Sequence, residues 1–461
     1  MANLMSEQTI DSSPGRQRVH RRDWIVLTVL VVTLPLYIET FRRFFVPDAY
    51  FLVLIEMFLV ILYIFNKHYQ VNVNRVLPYI IFIILVALML SIINGQTASL
   101  IYIGIRPLLF LYLFYALGRS ISQSDRDVNN LSLHVAFWVS AIALLAFVQI
   151  ILGQSHPINQ FSAGDGIVEF RGAGNIYFTV LGIPVFRPTS IFFHTGKFGQ
   201  TIFFLFLVAF ALYQMRPGRA SRVALFVSLM GIAISGQRAS MAAALIILAA
   251  YLILINPRMA LRTGRIMAIL APIAVVLMIS SDAPAKILDG ISYRFISIFG
   301  SGSSRFVANS LNWGAALDAA GMFGAGVGSY SLGSKMLGGG TFLLGENSWM
   351  RFVVEWGVLG SAAILVIIVA SLLPKRRSRG GDPGLIFVNI VLPTLLVIVW
   401  CFTHDVLANY LSVAYFALYI GLAGSISFRR SSRRRHSRAG RVPASPHPAR
   451  SGAVTPNRIG Y

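Results

Sequence analysis

Charged side chains are scarce in this sequence. They make up 12% of its 461 residues, against about 25% in a soluble domain. Acids are the scarcest, 17 Asp and Glu against 39 Lys and Arg. There is one cysteine, Cys401, inside an apolar run. An internal disulfide and a thiolate metal site are therefore both excluded. No H-E-x-x-H occurs, and the acids of the polar loops (Asp165, Glu169, Asp282, Asp289, Asp318) are scattered, so metal catalysis lacks ligands and no cofactor is expected. The glycine-rich run Phe323–Gly328 lacks both the preceding strand and the following Lys-Ser/Thr of a nucleotide loop. A tight turn that lets backbone approach its neighbours is the expectation there. No A-x-A-like cleavage site follows the polar N-terminal segment, so no removable signal peptide is expected.

What the chain has instead is apolar length. It is 56% hydrophobic, with a mean hydropathy of +0.71. A spanning helix needs about 20 mostly apolar residues. Twelve such runs are predicted: 24–41, 49–66, 76–94, 98–118, 131–152, 198–215, 222–236, 239–255, 265–281, 349–373, 385–403 and 408–426. The net charge of +22 sits in short loops and a tail between these runs. That pattern sets membrane orientation and argues against nucleic acid as a partner. With the N-terminus inside, Arg119, Arg126, Arg216, Arg219, Arg222, Arg258 and the Arg-rich tail all fall inside, and only Arg42 and Arg43 conflict. The expected organisation is a basic segment 1–23, a membrane domain 24–427 and a disordered tail 428–461. The tail's composition suits anionic lipid headgroups. Two outside loops are long, 153–197 and 282–348, and loops of that length are usually functional. Within the first, the aromatic stretch 185–200 is expected to lie in the interface.

Charges at membrane depth are expensive, so each asks for a partner or a function. The candidates are Glu56, Arg106, Arg238, Arg351 and Glu355. Arg351 and Glu355 are four apart on one helix and can pair with each other. Arg106 precedes Pro107 and has Glu56 as a possible partner. Arg238 lies in the tight connection Ser235–Ser240, where its planar fork suits phosphate oxygens and Ser235, Gln237 and Ser240 offer further donors. The bland alternative is an arginine reaching for the headgroups. Arg305 opens an expected helix in the second long loop, capped by Ser303 or Ser304. A cation in a first helical turn is disfavoured by the dipole, which an anion bound there would offset; the alternative is a solvated loop residue. Glu346, with Asn347, begins the tenth span, either as a helix-start carboxylate or as a general base.

Three stretches together resemble the O-antigen ligase and Wzy-type polysaccharide polymerase superfamily of bacterial inner membranes. Arg187–Gln200 is similar to the pattern R-x-x-G-x-F-x-x-P-N, with Ser190 in place of the glycine and no Pro-Asn. Ile234–Ala250 is similar to the T-x-S-R-x-x signature. The best match runs through SSRFVANSLNWGAALDAAGMFGAGVGSYSLG (303–333) and GENSWMRFVVEWGVLG (345–360). It follows the order Arg, Trp, P-x-x-G-x-G-x-G, H/E/D-N-x-x-L and E-x-G-x-x-G.

The resemblance implies a GT-C-like, all-α integral membrane enzyme with about 12 spans and a long, partly helical periplasmic loop between spans nine and ten. It implies transfer of a glycan from undecaprenyl diphosphate at the periplasmic face, without metal or nucleotide sugar. By position, Arg238 and Arg305 would hold the diphosphate, Arg187 would be a third contact and Glu346 the base. Ser235, Gln237, Asn347 and His194 would be further substrate contacts. Ligases of the family commonly have His where this chain has Glu346, which favours a polymerase. The expected partners are the lipid-linked glycan, membrane lipids and a chain-length regulator or export machinery. The inner membrane, with both termini cytoplasmic, is the expected location. A ligase and a lipid-linked sugar transporter remain the alternatives.

Overall fold

The computed structural model describes residues 33–40, 77–122, 124–153, 156–159, 161–163, 166–168, 177–180, 183–192, 195–259, 261, 313–314, 316–318, 320–330, 348–372, 383–401, 406 and 410–439. After a helical segment at 33–40, the main elements are α1 (Leu77–Ile93), α2 (Ala98–Ile121) and α3 (Asp125–Leu152). Strands β1 (Phe161–Ala163), β2 (Gly166–Val168), β3 (Tyr177–Val180) and β4 (Ile183–Phe186) follow. Then come α4 (Thr195–Met215), α5 (Arg219–Ser235), α6 (Arg238–Ile255), α7 (Ser348–Leu372), α8 (Pro383–Cys401) and α9 (Tyr410–Ala439).

Among the described residues five helices are long and apolar enough to cross a membrane: α2, α3, α4, α6 and α8. Helix α4 is their hub. Phe198 and every residue from Thr201 to Leu212 are fully buried or nearly so, on all sides of the helix. The outer helices are apolar on both faces. On α8, Phe387, Val391, Leu395 and Val399 form an exposed ladder at four-residue spacing. On α3, Leu133, Phe137, Leu144, Phe147 and Ile151 form an exposed stripe at spacings of three, four and seven residues. An apolar outer stripe of this length suits hydrocarbon, not water.

Contacts fix which ends of the helices lie together. Arg216, just past α4, donates to the Asp125 carbonyl at the start of α3 (2.9 Å). Gln149, near the end of α3, is bonded to Ser190, just before α4. The two helices are therefore antiparallel. The basic loops around Arg119, Arg126, Arg216 and Arg219 gather at one end of the bundle, and the turn carrying Arg238 lies at the other. Ser124 caps α3, accepting from the Asp127 amide (3.4 Å), and Asp125 and Asp127 complement the helix dipole.

Helices α2 and α9 cross without side chains between them. A Cβ on Gly421 would lie 2.4 Å from the Tyr115 carbonyl oxygen, and one on Gly118 would lie 2.4 Å from that of Leu418. Ser122 Oγ donates to Ser425 Oγ beside the crossing (2.6 Å). Helix α8 contains a π-helical turn, Phe387–Val391. Pro393 has no N–H for the Asn389 carbonyl four residues back. Tyr419 Oη donates to that carbonyl instead. The Asn389 amide meanwhile pairs reciprocally with that of Gln214 on α4.

The expected runs at 76–94, 98–118, 198–215, 222–236, 239–255, 349–373 and 385–403 coincide with helices to within a few residues, and 408–426 falls on the first part of the longer α9. The expected spans 49–66 and 265–281, the segment 1–23 and Glu56 lie outside the described residues. Three expectations change. Helix α3 begins at Asp125 rather than 131, because Ser124 supplies its cap. The loop 153–197 holds two antiparallel hairpins, β1–β2 and β3–β4, so the otherwise helical chain is not wholly α. Each has a two-residue connection containing Gly, the hairpin spacing. Of the aromatic stretch, Phe186, Ile191 and Phe192 are buried in the protein and Phe192 stacks on Phe198. Helix α9 runs to Ala439, past the expected start of the tail at 428. After Gly424 no Gly or Pro interrupts the sequence until Gly440, and Arg and Ser are tolerated in a helix; 440–461 lie outside the described residues.

Gly421→Leu should separate α2 from α9. Overpacking of this kind costs about 1–3 kcal/mol. A clear drop in melting temperature in detergent is expected, with Gly314→Ala unchanged, because a Cβ there meets nothing within 4 Å.

Candidate functional site

The site is built on the turn between α5 and α6. Helix α5 ends because Gly236 adopts a left-handed conformation (φ 63°), its N–H bonded to the Ala233 carbonyl (3.2 Å). Gln237 is extended, and α6 starts at Arg238. Only two residues separate the helices. Ser235 Oγ donates to the Ile232 carbonyl (2.7 Å) and accepts from the Gln237 amide (3.2 Å). Ser240 Oγ lies 3.0 Å from Gln237 Oε1 and 3.2 Å from the Gly199 carbonyl. Gly199 is required here, since a Cβ would sit 2.0 Å from Gln237 Oε1. The turn is thereby keyed onto the first part of α4.

Arg187 reaches the same turn from the strand side. Its Nε donates a long hydrogen bond to the Ser235 carbonyl (3.5 Å) across 48 residues of sequence. Arg187 is half-buried and Arg238 is exposed. One guanidinium thus reaches the turn, and a second arginine, Arg238, follows it as the first residue of α6. Arg238 occupies the first position of α6, whose N-terminus receives no side-chain cap from Gln237. A helix N-terminus favours negative charge and disfavours a cation. A helix N-terminus of this kind suits a phosphate, and a guanidinium fork matches phosphate oxygens.

The Ser235 hydroxyl is not presented as a phosphate donor: Ser235 is completely buried and its Oγ donates to the Ile232 carbonyl, while Gln237, also buried, has its Oε1 engaged by Ser240 Oγ. They brace the turn that carries Arg238. Arg305, Glu346, Asn347 and His194 lie outside the described residues. The start of α7, just after Glu346 and Asn347, is anchored where Trp349 Nε1 donates to the Ile398 carbonyl (3.1 Å). Close to that carbonyl, Trp400 packs on Phe203 and Phe204 of α4. The beginnings of α4, α6 and α7 therefore share one end of the bundle. Among the described residues no three His, Cys, Asp or Glu gather closely enough to hold a metal ion.

Two buried charge clusters lie beside this end. Arg351 Nε bonds Glu355 Oε1 at 3.0 Å, as the four-residue spacing predicts, and the same oxygen accepts the Tyr330 amide (3.3 Å). The second cluster was not foreseen. Arg106 stacks on Tyr410 (3.8 Å from its Cζ to the ring centroid), and Tyr410 Oη donates to Glu39 Oε1 (2.8 Å). Glu39 is fully buried in a run read only as apolar. A lone acid in that run was the signal available.

The run 323–328 is the close-packed turn expected from its glycines. Gly324, Gly326 and Gly328 all have positive φ. Helix α7 is broken at Gly357 (φ 69°, ψ 177°), and the turn fills the break. Ala325 N–H donates to the Val354 carbonyl (2.7 Å), and Leu359 N–H reaches the Met322 carbonyl (3.4 Å). On the other side Asn94, Gln96 and Ser91 bond to Gly324, Ala325 and Val327.

The chain matches no protein-family model and no curated protein.

Glu355→Ala should leave a buried guanidinium without its carboxylate, a loss of roughly 3–5 kcal/mol. Thermal unfolding in detergent should show a large drop. The double change Arg351→Met with Glu355→Leu should recover most of it.

Proposed function

We propose that this chain is a membrane glycosyltransferase that polymerises undecaprenyl-diphosphate-linked oligosaccharide repeat units into exopolysaccharide, capsule or O-antigen chains. In this reading it has twelve spans in a GT-C-like arrangement and works at the periplasmic face of a bacterial inner membrane, with both termini cytoplasmic. The observation that supports it best is that Arg187 bonds to the same turn that Arg238 ends. That turn lies at the bundle end opposite the basic loops, as the positive-inside pattern requires of an outward-facing site.

The reaction is a displacement at the anomeric carbon of the donor glycan. An acceptor hydroxyl forms the new C–O bond, the bond from the anomeric carbon to the diphosphate oxygen breaks, and undecaprenyl diphosphate leaves with the electron pair. Glu346 takes the hydroxyl proton. Arg238 and Arg305 hold the diphosphate, with Arg187 as a third contact, and Asn347 and His194 line the substrate. Fixed cations at the leaving group act where charge grows, often the largest single catalytic contribution. Ser235 and Gln237 act by holding the turn rigid.

Arg238→Ala should abolish polymer while expression and single lipid-linked repeat units persist. By analogy with removal of one oxyanion donor, the rate should fall roughly 10²–10³-fold. In vitro turnover of defined diphospholipid oligosaccharides, run with EDTA present, measures it. Polymer of normal length from the Arg238→Ala chain would overturn the assignment.

A further inference from the structure

Among the described residues Ser190 is the one non-glycine residue with positive φ, at 55°. Phe192 N–H bonds back to the Thr189 carbonyl (3.0 Å). Ser190 is thus the second residue of a tight turn whose third residue keeps negative φ, a pattern that favours glycine at the second place. A side chain held in that conformation persists only where its surroundings over-determine it, and such strain gathers at functional sites.

The surroundings here are specific. Gln149, fully buried near the end of α3, grips the peptide units of Ser190 at two points. Its Oε1 accepts the Ser190 amide (2.7 Å), and its Nε2 donates to the Ser190 carbonyl (3.2 Å). Ser190 Oγ donates to the Ile142 carbonyl (2.7 Å). Asn159 Nδ2 in turn donates to the Gln149 carbonyl (3.1 Å), fixing the clamp from behind. Three residues before the strained turn stands Arg187, whose Nε meets the Ser235 carbonyl.

We infer that Gln149 is a positioning residue: by holding Ser190 in its left-handed conformation it aims Arg187 at the Ser235–Arg238 turn, where Arg187 meets the anionic diphosphate. This rests on the glycosyltransferase reading for the ligand, but the aiming itself can be read without turnover. Gln149 touches no substrate and acts only through the backbone of Ser190. Chain geometry explains the distance of its effect. A left-handed residue reverses the chain sharply, and relaxing it to an ordinary conformation would swing Arg187 away from Ser235.

The test uses the full-length chain in lipid nanodiscs, with Cys401→Ala as background and spin labels on cysteines placed at 187 and 238. The distance distribution should be narrow with Gln149 present and broad with Gln149→Ala. It should become narrow again in the double variant Gln149→Ala with Ser190→Gly, since glycine holds positive φ without a clamp. With arginines in place, Gln149→Ala should cost roughly tenfold to a hundredfold in kcat/KM for the diphospholipid substrate. The same change should add almost nothing once Arg187→Ala is present. Unchanged distances on Gln149→Ala would overturn the inference whatever the turnover. So would a Gln149→Ala chain that loses its fold and is not recovered by Ser190→Gly, because Gln149 would then serve packing alone. Distances that respond as expected, in a chain that turns over no diphospholipid glycan, would instead tell against the glycosyltransferase reading.

Discussion

A polypeptide crossing hydrocarbon has no water to satisfy a peptide group that leaves its helix. Three interruptions of the described helices are met by particular partners. Where Gly357 breaks α7, the turn 322–325 supplies a donor for the Val354 carbonyl and an acceptor for the Leu359 amide. Where Pro393 leaves the Asn389 carbonyl without its helical donor, Tyr419 provides one. Between α5 and α6 the Ser235 hydroxyl takes the Gln237 amide. The polar residues of the membrane domain are spent first on these repairs, and the exposed cation at 238 stands out against them.

That constraint explains what the sequence disclosed. Long apolar runs can do little except become helices, so seven expected runs coincide with helices in their bounds. The glycines at 324, 326 and 328 could be read as close packing because nothing else in 323–328 offered chemistry. The Arg351–Glu355 pair followed from helix geometry alone. The hairpins were less visible. Their strands are three or four residues long and lie in a stretch rich in glycine, although Tyr177–Phe186 has the β-branched and aromatic content and the two-residue Leu181–Gly182 connection of a hairpin.

Long-range pairing was hidden for a different reason. Glu39 and Tyr410 are 371 residues apart, and nothing local marks the one as the other's acceptor. The same holds for Gln149 and Ser190. At Ser190, however, the departure from the resembled motif carried information. Glycine stands at that place in the motif, the observed φ is 55°, and the buried amide of Gln149 supplies the restraint that a serine needs there. At the candidate site, sequence pointed to Arg238 and to the polar residues beside it. It could not tell that Ser235 and Gln237 turn inward, because direction depends on α4 and the fit of Gly199 against Gln237.

The link from Tyr419 to Asn389 also bears on how the molecule is made. Helix α8 is synthesised before α9, so its Asn389 carbonyl enters the bilayer before its natural donor exists. Until α9 follows, that carbonyl lacks its Tyr419 donor. Helices α8 and α9 are therefore coupled in assembly, and the π-helical turn of α8 is completed only when the helix after it has been delivered.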